Sequence, residues 1–472
     1  MKILKFGGKS LANGKGIKTA IQIIKDKATQ QEDIAVVLSA RGNATNELLE
    51  MLGKAAQKEP YHEQLTAFKA YQSQIDRSID FSEEFTTLEN LFQGISLLGD
   101  YSEKIKDQVV SQGEIIAAKL VTNLLKKEGV NAHFTDARNL IKTDDIFGNA
   151  CPLDVLSRKN VINHFKSHNG TTVNIVTGFI GSNQKNETTT LGRNGSNYTA
   201  SLLANFLDAE ELQNYTHVDG IFTANPDLVA DAKKIEELSF NEANELANFG
   251  ANILHAKTIV PLIEKNIPLR ILNTFNSSDE GTIIKQKTTK KGIKSISVLD
   301  NVALVNLEGR GLLGRVGIDA RIFKTLGEND INVSIISQGS SERGIGLVID
   351  AEKASKAIIA LEREFENDFY TKDVNKISVI DDVAVISIVG QDLSEFHKPY
   401  NALIKNQIVP ILFNNTVSGK NVSLVVKKTQ LHKAINVIHG QIFGISKKIN
   451  IAVFGKGLVG GTLLDQIVQS KK

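Results

Sequence analysis

The chain has 472 residues, 41% of them apolar and 23% charged, with a net charge of +2. These values describe a globular protein of about three domains, without the basic excess expected of a nucleic-acid or membrane-surface binder. No apolar run approaches the roughly 20 residues of a membrane span, and MKILKFGGKS lacks the apolar core and small-residue cleavage site of a secretion signal. Cys151 is the only cysteine, so no intrachain disulfide can form, and a reducing cytoplasmic location is expected. His164 and His168 share a helical spacing, but without a third ligand they read as solvated surface, and no metal site is expected.

In chain order, MKILKF reads as a short strand, GIKTAIQIIKDKA as an amphipathic helix and DIAVVLSA as a buried strand. A helical stretch then runs from about Asn46 to Lys127, with breaks expected near Pro60 and Gly94. TVNIVTGFI (172–180) and IPLRILN (267–273) read as further strands. This alternation predicts a mostly parallel sheet covered by helices. The polar, basic KQKTTKKG (285–292) reads as a linker. Beyond it the sequence repeats. ISVLDNVALVNLEG (296–309) returns as ISVIDDVAVISIVG (377–390), and INVSIISQGSSERGIGLVI (331–349) returns more weakly as IVPILFNNTVSGKNVSLVV (408–426). With the helical patterns between and after them, each copy reads β-α-β-β-α, a ferredoxin-like unit. Two such units can bury their sheets against each other or against a second subunit.

Five stretches carry candidate chemistry. KFGGKS (5–10) resembles a P-loop, but Ile3 stands where that motif needs its first glycine. What remains is Lys5 followed by Gly7 and Gly8, either an anion cradle ahead of a helix or a tight turn. LSARGNATN (38–46) is a strand end rich in hydroxyls, placed where open α/β sheets bind ligands. In SQGE (111–114), Glu114 reads as a dipole partner at a helix start or as a site carboxylate. TTTLGRNGSNYTAS (188–201) offers Arg193, a fork suited to a carboxylate, before a helix that Ser196 or Asn197 would cap. THVDGIFTANPD (216–227) is a turn-rich segment after a strand.

Together these stretches resemble the aspartate kinases of the amino-acid kinase fold. Their motifs follow in order at Lys5–Gly8, Ser39–Asn46, Ser111–Glu114, Gly178–Gly181, Gly192–Ser196, Thr216–Pro226 and Phe249–His255. The repeat resembles that family's paired ACT regulatory domains, and the C-terminal tail resembles the first turn of a homoserine dehydrogenase. The resemblance therefore points to the N-terminal portion of a bifunctional aspartokinase/homoserine dehydrogenase. It implies an αβα kinase domain over 1–284, a linker at 285–291, ACT domains over 292–447 and a truncated dehydrogenase start at 448–472.

The activity so implied is phosphorylation of the L-aspartate side-chain carboxylate by ATP with Mg²⁺. Lys5, Gly7, Gly8 and Arg193 fall at catalytic positions. Ser39, Thr45, Glu114, Phe179, Arg193 and Ser196 fall on the substrate side; Thr216, His217, Phe222, Asn225 and Asn252 fall on the nucleotide side. Gln338 matches an effector-binding glutamine. Asn414 and Asn415 stand at the equivalent place in the second repeat, which argues against two equal effector sites. Threonine rather than lysine is the expected effector, and a homodimer or higher assembly through the ACT domains is expected. Several positions depart from the family pattern. Lys9 replaces threonine, Asn197 and His217 replace aspartates, and Phe222, Asn225, Asp227 and Asn252 replace tyrosine, aspartate, arginine and lysine. Most of these lie on the nucleotide side. The alternative is therefore a kinase-like domain with an eroded ATP site that regulates a fused dehydrogenase. The tail INIAVFGKGLVGGTLLDQIVQSKK (449–472) carries Gly455, Gly457 and Gly460, but only 12 residues follow Gly460. A dinucleotide fingerprint needs a complete βαβ unit, so NAD(P) is not expected to bind, and the tail is expected to be disordered or packed on the regulatory half.

Overall fold

The computed structural model describes residues 1–167, 172–248, 256–288, 292–310, 316–338, 344–390, 396–416 and 419–444, with four isolated positions beyond. The glycine-rich tail, His168 and Asn252 lie outside the described residues or, for the tail, almost wholly so.

The first half is built on strands β1 (Lys2–Phe6), β2 (Ile34–Leu38), β3 (Ala132–Thr135), β4 (Val173–Thr177), the hairpin β5 (Ile180–Ser182) and β6 (Thr188–Thr190), then β7 (Glu211–Thr216), β8 (Glu237–Ser239), β9 (Leu269–Asn273) and β10 (Thr282–Lys285). Eight of them form one sheet in the order β3-β4-β2-β1-β7-β9-β10-β8. Only the β9–β10 pairing is antiparallel. The central strands are apolar on both sides, as a sheet covered by helices on two faces requires. One face packs Leu4, Phe6, Val36 and Leu38 with the helices of residues 14–127. The other packs Ile3, Ala35, Val37 and Val176 with the helix Gly195–Phe206 and its neighbours. The C-terminal ends of β1, β2, β4 and β7 therefore open on one edge, and the candidate stretches sit there.

Two local expectations are corrected. TVNIVTGFI is not one strand: β4 stops at Thr177, and Phe179 takes a left-handed backbone (φ 68°) that turns the chain into β5. The helical stretch breaks at Gly99, not at Gly94. Gly99 ends its helix in the left-handed conformation (φ 78°), whereas Gly94 lies inside the helix Ser82–Leu98 with open space where a side chain would be. The break near Pro60 falls as expected, between the helices Ala44–Ala56 and His62–Ser73.

The second half forms a six-stranded sheet from β11 (Ile293–Glu308), β12 (Val333–Gln338), β13 (Gly344–Asp350), β14 (Lys376–Gly390), β15 (Leu412–Asn415) and β16 (Asn421–Lys427), in the order β12-β13-β11-β14-β16-β15. The β-α-β-β-α reading of each copy holds along the chain, but neither copy closes its sheet with its own strands alone. β11 and β14 are 16 and 15 residues long and pair antiparallel along their whole length, with the register shifting near Leu299–Val302. Val302–Glu308 belongs to the first copy, whereas Ile293–Leu299 lies beside the second copy's half of β14. Each copy thus completes its sheet with a strand from the other. The helix-free faces also pack on each other through Leu304, Ile335, Val348, Val383, Val385 and Val425.

Candidate active site

A cavity of about 530 Å³ lies at the strand-end edge, and its lining includes Lys5, Ser39, Thr45, Glu114, Phe179, Arg193 and Ser196. The sequence separates these residues by up to 191 positions; the parallel sheet brings them together. Lys5 projects from β1 and is 8% exposed. Burial lowers its pKa from 10.5 to about 8, and among the described residues it has no hydrogen-bond or ion-pair partner. A side chain at Gly7 would come within 3.3 Å of the Lys5 Nζ. Gly8 packs against the β2 loop, where a Cβ would meet the carbonyl oxygens of Ala40 and Gly42 at 2.7 and 2.8 Å. The double glycine thus lets two loops touch behind the lysine. The Gly7 amide is already engaged, donating to the Tyr215 carbonyl at 3.2 Å, so of the two expected anion-binding amides only that of Gly8 is left to face a ligand.

Glu114 does not stand at a helix start. It sits mid-way along the helix Glu103–Lys127, 3% exposed, and its Oε1 accepts from the Ala40 amide at 3.1 Å. Its Oε2 is buried without a partner. Burial raises the carboxyl from 4.5 to about 8, so it is protonated at neutral pH until a cation meets that oxygen. Asp107, one heptad earlier on the same helix face, lines the same cavity and was not picked out by sequence. Its carboxylate accepts from the Gly148 and Thr190 amides, both at 2.9 Å, and from the Thr190 hydroxyl at 2.7 Å. The D-x6-E spacing was the available signal. Asp107 ties the loop at Gly148 and the end of β6 to the helix that carries Glu114. Asp107→Ala would strand two buried donors; we expect a loss of roughly 3 kcal/mol in denaturant unfolding, and an unchanged midpoint would contradict that anchoring.

Arg193 is exposed at the cavity mouth, with no ion pair or hydrogen bond among the described residues. It precedes Asn194, whose left-handed backbone (φ 58°) starts the helix Gly195–Phe206 without a side-chain cap, so the expected capping by Ser196 or Asn197 does not occur. Both residues instead line the cavity, and the Asn197 Oδ1 is buried without a partner. Gly195 is required by packing: a Cβ there would lie 2.5 Å from the Phe179 ring.

Thr216, His217, Phe222 and Asn225 lie outside this cavity. Thr216 ends β7, next to β1, and its hydroxyl is 3.3 Å from the His217 Nδ1. Burial, and to a lesser extent the charge of Lys9, lower the His217 pKa. Phe222 forms an isolated bridge with Lys234, and the Asn225 side chain accepts from the Asp227 amide at 3.0 Å. Gln338 is the exposed last residue of β12. His164 is not solvated surface: its Nε2 lies 3.2 Å from both the Thr135 hydroxyl and the Asn174 Oδ1. Among the described residues no cluster of His, Cys, Asp and Glu could hold a metal ion, and no helix is long and apolar enough to cross a membrane.

This sheet and its loop-lined cavity define the class, an α/β fold whose ligand cavity lies at the carboxyl ends of parallel strands. The sequence model of the amino acid kinase family matches residues 1–273, and that of an ACT domain matches 305–365. Aspartokinase 3 of Arabidopsis thaliana chloroplasts is 30% identical over 93% of this chain and 81% of its own length. The structure of Escherichia coli aspartokinase III with aspartate and ADP superposes with a TM-score of 0.80 at 27% identity, covering 94% of this chain and all of that one. The chain belongs to the aspartokinase family, with the amino-acid kinase fold and an ACT regulatory region. The bifunctional aspartokinase/homoserine dehydrogenase of Buchnera aphidicola is 31% identical over the whole chain, which spans 60% of that relative's length.

Proposed function

We propose that this chain transfers the γ-phosphoryl group of MgATP to the side-chain carboxylate of L-aspartate, giving 4-phospho-L-aspartate, under feedback control by an amino acid. One observation carries the reading: a single cavity presents an ammonium that is buried, a guanidinium and a buried carboxyl oxygen, none of which has a partner among the described residues. That set complements an amino acid with two carboxylates. The Glu114 Oε2 takes the substrate ammonium, Arg193 a carboxylate, and Ser39, Thr45, Phe179 and Ser196 the remaining wall. Aspartate's side chain is already ionised, so no strong general base is required, and catalysis rests on alignment and on charge at the transferring group. Lys5 and the Gly8 amide supply that charge. Thr216, His217, Phe222, Asn225 and Asn252 hold the nucleotide, with Lys9 adding a cation.

The kinase domain covers 1–284 and the ACT domains 292–447. Threonine binds near Gln338, and assembly is through the ACT domains. Lysine is the ligand named with E. coli aspartokinase III in its T-state, so titrating both amino acids discriminates between them. A second reading, a kinase-like regulator without turnover, draws on Asn197. The family's carboxylate is absent there. Of the cavity's other acids, Asp107 already accepts three hydrogen bonds and Glu114 is assigned to the substrate side. Magnesium then enters as part of MgATP, held by phosphates and water. Trapping the acyl phosphate as a hydroxamate decides between the readings: product above blank supports the kinase, and none from folded protein leaves the regulator. Arg193→Ala should raise the aspartate KM by at least about tenfold; unchanged kinetics would remove Arg193 from the substrate site.

Aspartate binding should also move protons. Glu114 must ionise to meet an ammonium, and Lys5 becomes fully protonated beside the carboxylates. With both free values at about 8, close to one proton is released near pH 6, almost none net near pH 8, and uptake replaces release above it. Calorimetry in buffers of different ionisation enthalpy measures this directly. A pH-independent proton count would contradict the assignment.

A further inference from the structure

The segment after His217 is built as much on the regulatory half as on the kinase half. The Thr223 amide donates to the Lys233 carbonyl at 2.8 Å, and its hydroxyl accepts from the Lys233 amide at 2.9 Å, closing a loop within the kinase half. That same hydroxyl lies 2.9 Å from the Nε2 of His439, 216 positions later on the helix Leu431–Phe443. Other links join the same two parts. The Thr223 carbonyl accepts from the Ile296 amide at 2.8 Å, the Phe222 carbonyl from the Ser295 hydroxyl at 2.8 Å, and the Leu228 carbonyl from the Asn436 side chain at 2.9 Å. Ala224 and Val229 are buried in the core of the second repeat with Ala434, Ile435 and Ile438.

His439 is fully buried, and its Nδ1 has no partner. Burial holds its pKa below the ordinary value, so the ring is neutral, and its one hydrogen bond among the described residues is to Thr223. A buried polar ring satisfied at only one atom costs more than an apolar residue of that size would. Packing alone does not account for it, whereas fixing Thr223 between Phe222 and Asn225 does.

We infer that His439 is a positioning residue for the nucleotide segment, holding Thr223 so that Phe222 and Asn225 face ATP in one arrangement, and that the regulatory half acts on the kinase site through this bond. The inference rests on the nucleotide role proposed for residues 216–227. The test is steady-state kinetics of the full chain with both substrates varied. His439→Leu should raise the KM for MgATP by about tenfold and leave that for aspartate within about twofold. His439→Gln, whose amide reaches the position of Nε2, should restore most of the loss. Thr223→Val, which breaks the bond from the kinase side without touching the second repeat's helix, should reproduce it, and its effect should not add to that of His439→Leu. His217→Ala is the control for the nucleotide reading. If it shifts the MgATP KM while His439→Leu and Thr223→Val do not, the inference falls and the nucleotide reading stands. If none of the three shifts it, both fall. Equal rises in both KM values with no rescue by glutamine would reduce His439 to a structural residue and overturn the proposal.

Discussion

Lys5→Met is expected to lower kcat by about 10²–10³-fold, the loss found when a preorganised group facing developing charge is removed. The residue sits on a central strand, fixed by parallel partners at Val37 and Asn214. It is buried, and no carboxylate neutralises it. A lysine in that state is costly to the fold, since burial has brought its pKa down to about 8. Its charge is therefore available to a phosphoryl group at neutral pH, and binding an anion restores its proton affinity. Lys5→Arg should not rescue activity, because a guanidinium spreads its charge over a planar fork where the site presents the point charge of an ammonium. Single-turnover hydroxamate trapping separates this loss from one in binding. A kcat within about threefold of wild type would exclude Lys5 from the transferring site.

Much of the cavity's lining was legible in sequence, and its convergence on one edge has a topological reason. In a parallel sheet the loops that follow β1, β2 and β4 must open on one edge. Lys5, Ser39, Thr45 and Phe179, which the family resemblance picks out, are gathered at the cavity by that topology. Glu114 was found by motif but misplaced, because the helix begins at the Ser102 cap, whose hydroxyl accepts from the Ile105 amide. Nothing in SQGE signals how far upstream that cap lies. Asp107 belongs to none of the motifs, although its spacing from Glu114 puts both on one helix face. The link from Thr223 to His439 has no sequence signature, since Thr223 lies in the 216–227 stretch but His439 belongs to no motif, and only the packing of the second repeat joins them. The repeat itself was legible, but its strand exchange was not. Alternation along β11 and β14 shows which faces are buried without showing which copy each half-strand pairs with.

Glu114→Gln should stabilise the free protein and disable it. The carboxyl has an ordinary value of 4.5 and a folded value of about 8. Between those limits the unfolded chain is ionised and the folded one is not, so native stability falls as pH rises, by about 1.4 kcal/mol per unit. Glutamine removes this dependence while keeping an oxygen for the Ala40 amide. The variant's advantage should be absent near pH 4.5, reach roughly 3 kcal/mol by pH 7 and level off above pH 8. Lys5→Met should show the opposite trend. There the native state holds a penalised charge below about pH 8, so the gain is largest at low pH and disappears by about pH 10.5, where the unfolded lysine also loses its proton. Denaturant unfolding of the two variants across pH 5–10 would give one difference curve that rises up to about pH 8 and levels, for Glu114→Gln, and one that is flat up to about pH 8 and falls beyond it, for Lys5→Met. In Glu114→Gln, aspartate affinity should drop by about 10²-fold, because a buried amide cannot pair with an ammonium as a carboxylate does. Saturating aspartate should then invert the order of stabilities, since wild type gains ligand stabilisation that the variant has lost. Parallel curves, or aspartate protecting both proteins equally, would mean that the orphaned oxygen of Glu114 is not where the substrate's ammonium binds.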